Sequence, residues 1–136
     1  MKNKLLERFF RYVKIDTQSD DSQNEVPSTA KQFDLAHLLV EEMKELGLID
    51  VTVDSHCYVM GTLPANTDEK LPVIGFISHM DTAPDASGKG VEPILWEDYD
   101  GGDLVLPRGT TIRTDEFPEL KTLAGRTLIT ASGDTL

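Results

Sequence analysis

The sequence VIGFISHMD, residues 73–81, contains the pattern that decides our prediction of the fold. Its first five residues form a short, nearly continuous apolar run, which is typical of a strand buried on both faces of a sheet. A helix pattern and shorter strand patterns precede this run along the chain. This order of elements favours an α/β fold in which helices pack on a mixed β-sheet. We therefore predict a buried strand at residues 73–77 that ends at Ser78 and His79.

Two amphipathic helices are predicted before this strand. Apolar residues recur at helical spacing within residues 5–13, and a longer stripe of the same kind runs through residues 35–46. Ser28 or Thr29 is predicted to cap the second helix, and Thr29 and Gln32 stand at the spacing of a capping box. Gly47 follows its last apolar residue, where a helix commonly ends on glycine.

Shorter elements are predicted in the rest of the chain. The polar run at residues 16–27 is interpreted as a solvated loop, because its acidic residues do not have the spacing of a calcium-binding loop. Residues 117–123 fit one or two helical turns that stop at Gly125. Cys57 and Trp96 are interpreted as packing residues. Four further strands are predicted, at residues 51–53, 58–63, 103–106 and 126–130.

The composition excludes some classes of partner. A formal net charge of −11 argues against nucleic acid and against an anionic membrane surface, because both require clustered Lys and Arg. No segment reaches the roughly 20 apolar residues that cross a bilayer. The single cysteine excludes an internal disulfide and implies no oxidising compartment. We expect a cytoplasmic protein, and a short peptide is compatible with this charge.

His79 and Asp81 are the residues most suited to chemistry. A neutral imidazole is a good zinc ligand, and a carboxylate two residues later can hold its other ring nitrogen. The same tripeptide pattern also fits an ordinary histidine hydrogen bond with Asp81 capping the following turn. Zinc normally takes four ligands, so one histidine does not make a site. The residues by themselves leave both interpretations open.

A wider resemblance favours the metal site. The stretch LPVIGFISHMDTAPDASG, residues 71–88, resembles the tripeptide aminopeptidases of the M20 family of dinuclear zinc peptidases. The resemblance extends over essentially all 136 residues. Shorter matching segments follow in the family's order at residues 26–29, 46–48, 62–66, 99–103 and 128–130.

The resemblance implies roles for two residues only. His79 matches the family's first zinc ligand. Asp81 matches the family's catalytic aspartate, whose carboxylate orients or tunes that ligand. Residues 1–136 would then be the N-terminal portion of a zinc-peptidase catalytic domain. We expect the remaining ligands, the general base and the lid or dimerisation domain to lie beyond residue 136. Substrate-binding residues are not identified.

The expected activity belongs to the full-length protein. It would carry two zinc ions per subunit and release the N-terminal residue from tripeptides. The 136-residue chain retains one ligand, so we expect it to be inactive and not to bind zinc stably. Two alternatives stay open: another M20-type dipeptidase, carboxypeptidase or deacylase, and a non-catalytic α/β binding module in which His79 is structural. Whether the protein forms a homo-oligomer also stays open.

Overall fold

The computed structural model describes residues 2–135, with side chains from residue 4 onward. Two α-helices, one 3₁₀ helix and six short strands confirm a mixed α/β composition. No helix within residues 2–135 combines the length and apolar character needed to span a bilayer. The elements are α1 (Lys2–Tyr12), α2 (Gln32–Glu45), β1 (Ile49–Val53), β2 (Val59–Thr62), β3 (Ile94–Trp96), β4 (Leu104–Val105), β5 (Thr111–Ile112), the 3₁₀ helix (Pro118–Leu123) and β6 (Leu128–Thr130).

The chain divides into two compact units, one comprising Thr17–Pro84 and the other Met1–Asp16 with Asp85–Leu136. In the first unit, α2 packs against an antiparallel pair formed by β1 and β2. Leu35, Ala36 and Val40 are the buried apolar residues of α2. All three belong to the predicted apolar stripe, because positions 35, 36 and 40 lie on the same side of a helix with 3.6 residues per turn.

The C-terminus of α2 is set by Gly47. Its φ of +84° lies in the left-handed region, where glycine has no Cβ penalty. The N–H of Gly47 donates to the carbonyl oxygen of Lys44 at 2.9 Å, and the N–H of Leu48 donates to that of Met43 at 3.0 Å. These two bonds form a Schellman motif, which satisfies carbonyl groups that the helix leaves free. The predicted glycine stop is confirmed.

The predicted capping box at the start of α2 is wrong. Lys31 occupies the N-cap position and provides no side-chain cap. The hydroxyl of Thr29 instead donates to the carbonyl oxygen of Gln18 at 2.8 Å, and it accepts a hydrogen bond from Nε2 of Gln32 at 3.1 Å. The capping-box spacing therefore produces a side-chain contact between Thr29 and Gln32, while the threonine hydroxyl bonds to a more distant segment of the chain.

The second unit has its own small core. Strand β3 pairs antiparallel with β6, and β4 pairs antiparallel with β5. Tyr99, Leu104 and Leu106 form a buried cluster, against which Trp96 packs. The indole Nε1–H of Trp96 donates to the hydroxyl of Thr130 at 2.9 Å, so its polar edge is satisfied. The interpretation of Trp96 as a packing residue is confirmed.

The predicted buried strand at residues 73–77 is not formed. These residues have no regular secondary structure, and the side chains of Val73 and Ile77 are 99% and 100% exposed. A central strand is stable only when neighbouring strands satisfy its N–H and C=O groups and other layers cover its faces. Within residues 2–135 no strand lies beside this segment. The apolar run predicts a strand correctly only where such neighbours are present.

Candidate functional site

The imidazole of His79 is held by the residue two positions later. Its Nδ1 lies 2.9 Å from the backbone carbonyl oxygen of Asp81 and 3.2 Å from the carboxylate Oδ1 of the same residue. A carbonyl oxygen and an ionised carboxylate only accept hydrogen bonds. Because both partners are acceptors, Nδ1 carries the proton in the neutral ring. The lone pair of the neutral imidazole is therefore on Nε2.

This arrangement fits the chemistry of a zinc-ligating histidine. Such a histidine donates its other ring N–H to a carboxylate or a carbonyl, and this fixes the tautomer and raises ligand basicity. The side chain of His79 is 84% exposed, so the ring is accessible from solvent. No group of three or more His, Cys, Asp or Glu residues within the described part of the chain is arranged to hold a metal. The described residues therefore bring together the predicted ligand, His79, and its predicted orienting acid, Asp81.

The segment that follows Asp81 is held by the loop at residues 17–19. The carbonyl oxygen of Thr82 accepts two hydrogen bonds from Ser19, one from its N–H and one from its hydroxyl, each at 2.9 Å. The N–H of Thr82 donates to the carbonyl oxygen of Thr17 at 3.3 Å. Nε2 of Gln18 donates to the carbonyl oxygen of Pro84 at 3.2 Å. We call these bonds between residues 17–19 and residues 82–84 the Thr82 clamp.

The Thr82 clamp reaches His79 through one peptide group. The carbonyl of Asp81 and the N–H of Thr82 belong to the same planar unit. That unit is trans, because the cis peptide bond of the described chain is Val26–Pro27. Its N–H bonds to Thr17 and its oxygen accepts from His79. Holding this peptide group in place therefore also orients the oxygen that faces the imidazole.

The clamp was not foreseen from the sequence, which predicts a solvated loop at residues 16–27. That prediction is wrong for Thr17, whose exposure is only 3%. Thr29 supports the same loop from the segment preceding α2 through its bond to Gln18. The sequence signal for such a clamp is the run Thr-Gln-Ser at residues 17–19, because side chains of these types bond to backbone groups in irregular segments. It does not reveal which distant backbone groups they meet.

The remaining candidate side chains have other surroundings. His37 is exposed on α2, with its ring centroid 5.8 Å from that of Phe33. His56 is also exposed, and its Nδ1 lies 3.7 Å from the carboxylate of Asp54. Cys57 is buried, as predicted, and this burial raises the pKa of its thiol, with a further contribution from Asp54. A raised pKa disfavours the thiolate, so Cys57 does not fit the role of a nucleophile.

Relatives of this chain are found among curated proteins. No protein-family profile matches the chain. Curated proteins that are peptidases do match it, over its whole length. They are named Peptidase T. The identity is 54% with the proteins from Geobacillus kaustophilus and Alkaliphilus oremlandii, and 50% with that from Bacillus velezensis.

The match covers all of this chain but only part of each relative. The chain spans about a third of the length of these curated relatives, 34% in each of the three cases. The similarity to peptidase T over the whole chain confirms this part of the resemblance found in the sequence. Membership of the M20 family, dependence on zinc and specificity for tripeptides stay predictions. The roles of His79 and Asp81 stay predictions.

Proposed function

We propose that the complete protein containing this chain is a zinc-dependent aminopeptidase of the M20 family that releases the N-terminal residue from tripeptides. The observation that carries the proposal is the His79–Asp81 pair, in which Asp81 accepts from Nδ1, so that the lone pair of the neutral ring lies on Nε2. The similarity to proteins named Peptidase T, at 50–54% identity, supports the peptidase class.

In this proposal Nε2 of His79 would ligate zinc, and Asp81 keeps the ring in the tautomer that leaves this nitrogen unprotonated. Zinc, when bound, would polarise the scissile carbonyl and lower the pKa of a water molecule. The negative charge of Asp81 would also make the imidazole a stronger zinc ligand, because it stabilises the positive charge that develops on the ring when Nε2 shares its lone pair. The chain's own contribution is therefore the orientation and basicity of one ligand.

The test is a hydrolysis assay on the complete polypeptide encoded by the reading frame that contains this sequence, purified with zinc. Three substrates are compared: a tripeptide with a free amino terminus, the corresponding dipeptide, and the N-acetylated tripeptide. The proposal expects release of the N-terminal residue from the free tripeptide alone. Asp81→Ala should lower the rate by about 10- to 100-fold, the usual effect of removing a group that orients a zinc ligand.

The matched control is His37→Ala, since His37 is an exposed histidine on α2 with a different set of neighbours. It should retain the rate of the unmodified protein, whereas His79→Ala should lose it. Preferential hydrolysis of the dipeptide or the acetylated substrate would support another M20-type dipeptidase or deacylase. A zinc-loaded protein that hydrolyses none of the three would support the non-catalytic binding module and contradict the proposal.

We also propose that the 136-residue chain by itself is inactive and binds zinc weakly. One imidazole supplies one of about four ligands that zinc takes in proteins. Titration of zinc into the isolated chain should show no saturable uptake above that of its His79→Ala variant. Tripeptide hydrolysis by the isolated chain at a rate similar to that of the complete polypeptide would contradict this expectation.

A further inference from the structure

The His79–Asp81 pair is supported from its C-terminal side. On its N-terminal side, residues 71–78 are exposed and have no regular secondary structure. On its C-terminal side, both backbone polar groups of Thr82 are hydrogen-bonded to residues 17–19. The pair therefore depends on the Thr82 clamp more than on the predicted strand that precedes it.

We infer that Ser19 is a positioning residue for the His79–Asp81 pair, acting through the backbone of Thr82. Its importance for catalysis rests on the function proposed for His79. The hydrogen bonds that Ser19 donates go to Thr82 and not to either residue of the pair. It places two donors on one carbonyl oxygen, and this holds the backbone of Thr82 next to the peptide group whose oxygen accepts from His79.

The orientation passes along a short chain of rigid units. Ser19 fixes the carbonyl of Thr82, and the N–H of the same residue is held by Thr17. The Asp81–Thr82 peptide group is planar, so its oxygen cannot turn away from the imidazole unless its N–H also leaves Thr17. With these bonds in place, the carbonyl oxygen of Asp81 stays where it accepts from Nδ1 and favours the Nδ1–H form of His79.

The test is the tautomer of neutral His79, measured in the isolated 136-residue chain by long-range ¹H–¹⁵N NMR with ¹⁵N-labelled histidine. The spectra are recorded at about pH 8, where an ordinary imidazole is neutral. Ser19→Ala should lower the ratio of the Nδ1–H to the Nε2–H form by about two- to tenfold, the factor that corresponds to one neutral hydrogen bond. Ser19→Thr, which keeps a hydroxyl, should restore the ratio.

The matched control is Ser22→Ala in the same loop. The hydroxyl of Ser22 donates to Asp20 at 2.6 Å and is not part of the clamp, so this variant should keep the unmodified ratio. Thr29→Val, which removes the bond to Gln18, should shift the ratio in the same direction as Ser19→Ala. It provides the same test if Ser19→Ala does not fold.

An unchanged ratio in folded Ser19→Ala, or an equal shift in Ser22→Ala, would overturn the inference. If Ser19→Ala is unfolded, an unchanged ratio in Thr29→Val would overturn it. The measurement needs neither zinc nor hydrolysis. If the complete protein has no peptidase activity, the proposed function is contradicted and the positioning role of Ser19 is not. If the tautomer ratio is unchanged in Ser19→Ala, the positioning role is contradicted and the proposed function is not.

Discussion

Nδ1 of His79 lies 3.2 Å from Oδ1 of Asp81 and 2.9 Å from the carbonyl oxygen of the same residue. One residue thus provides both acceptors that face this ring nitrogen. The spacing of two residues is sufficient to bring them there in a segment without a regular strand. The tautomer of His79 is therefore a local property of residues 79–82 and the clamp that holds them.

The first prediction concerns the exposed apolar segment. Phe76 is 95% exposed, and residues 73–77 have no regular secondary structure. Proteases cut segments that need little local unfolding. Brief digestion of the folded chain with chymotrypsin should therefore cleave after Phe76 first, before Tyr99, which lies in the buried cluster. Mass spectrometry of the first products identifies the cut.

The control for this digestion is Phe76→Ala, which should delay the first cut within residues 71–78 and leave later cuts unchanged. Cleavage after Tyr99 at the same rate as after Phe76 would contradict the assignment of Tyr99 to a stable core. Protection of Phe76 in the unmodified chain would show that residues 73–77 form the paired strand that the sequence predicts.

The second prediction concerns the core of the unit that contains β4. Leu104 is buried beside Tyr99 and Leu106, whereas Val105, the next residue of the same strand, is exposed. Leu104→Ala should lower the free energy of unfolding by about 2–5 kcal/mol, because it removes buried methyl groups and leaves a cavity. Val105→Ala should change it by no more than about 0.5 kcal/mol.

Urea unfolding followed by tryptophan fluorescence is a suitable measurement, since Trp96 packs against this cluster. Similar losses for the two variants would contradict the assignment of Leu104 to the core. The comparison uses neighbouring apolar residues in one strand, so differences in strand propensity are small relative to the expected effect.

The third prediction concerns pH. The N–H of Thr114 donates to Oδ1 of Asp103 at 2.8 Å and its hydroxyl donates at 3.0 Å, and these bonds lower the pKa of Asp103. Protonation in the folded state has to overcome them. The ionised carboxylate therefore stabilises the fold above the pKa of an unstructured aspartate, about 3.9, and this stabilisation is lost as pH falls through the lower folded pKa.

Asp103→Asn should accordingly be less stable than the unmodified chain at neutral pH, and the difference should narrow below about pH 4. Urea midpoints across this range provide the measurement. Asp68→Asn makes the same change in net charge in the exposed loop between β2 and the apolar segment, and serves as the control. A difference for Asp103→Asn that grows as the solution becomes more acidic would contradict the assigned role of Thr114.

Local signals predict much of this fold. Periodicity and turn chemistry are sufficient for the stripe of α2, the glycine at its end and the neighbouring strands β1 and β2, because each of these is encoded by residues close together in sequence. The features that the sequence does not predict depend on residues that are far apart in the chain or outside residues 2–135. A strand at residues 73–77 requires neighbours that do not occur within residues 2–135. The clamp between Ser19 and Thr82 joins residues whose sequence separation hides their contact.

The candidate site also has a part that the sequence predicts and a part that it does not. The pairing of His79 with Asp81 could be predicted, because both residues lie in one short segment and their chemistry is complementary. The support from Thr17 and Ser19 could not, because hydroxyl and amide side chains bond to many backbone groups and their spacing does not specify which. The sequence predicts that a buried strand at residues 73–77 supports the pair from its N-terminal side. In the structure that strand is not formed, and the loop at residues 17–19 bonds to the backbone on the C-terminal side of the pair.

The most direct test of the central claim is the tautomer of neutral His79 in the unmodified chain and in Asp81→Ala, read from long-range ¹H–¹⁵N spectra. The account predicts that the Nδ1–H form predominates in the unmodified chain, with the lone pair on Nε2. Asp81→Ala retains the backbone acceptor and removes the carboxylate, so the Nδ1–H fraction should fall without vanishing. A predominant Nε2–H form in the unmodified chain, or an identical ratio in Asp81→Ala, would contradict the claim that Asp81 holds His79 in the Nδ1–H form.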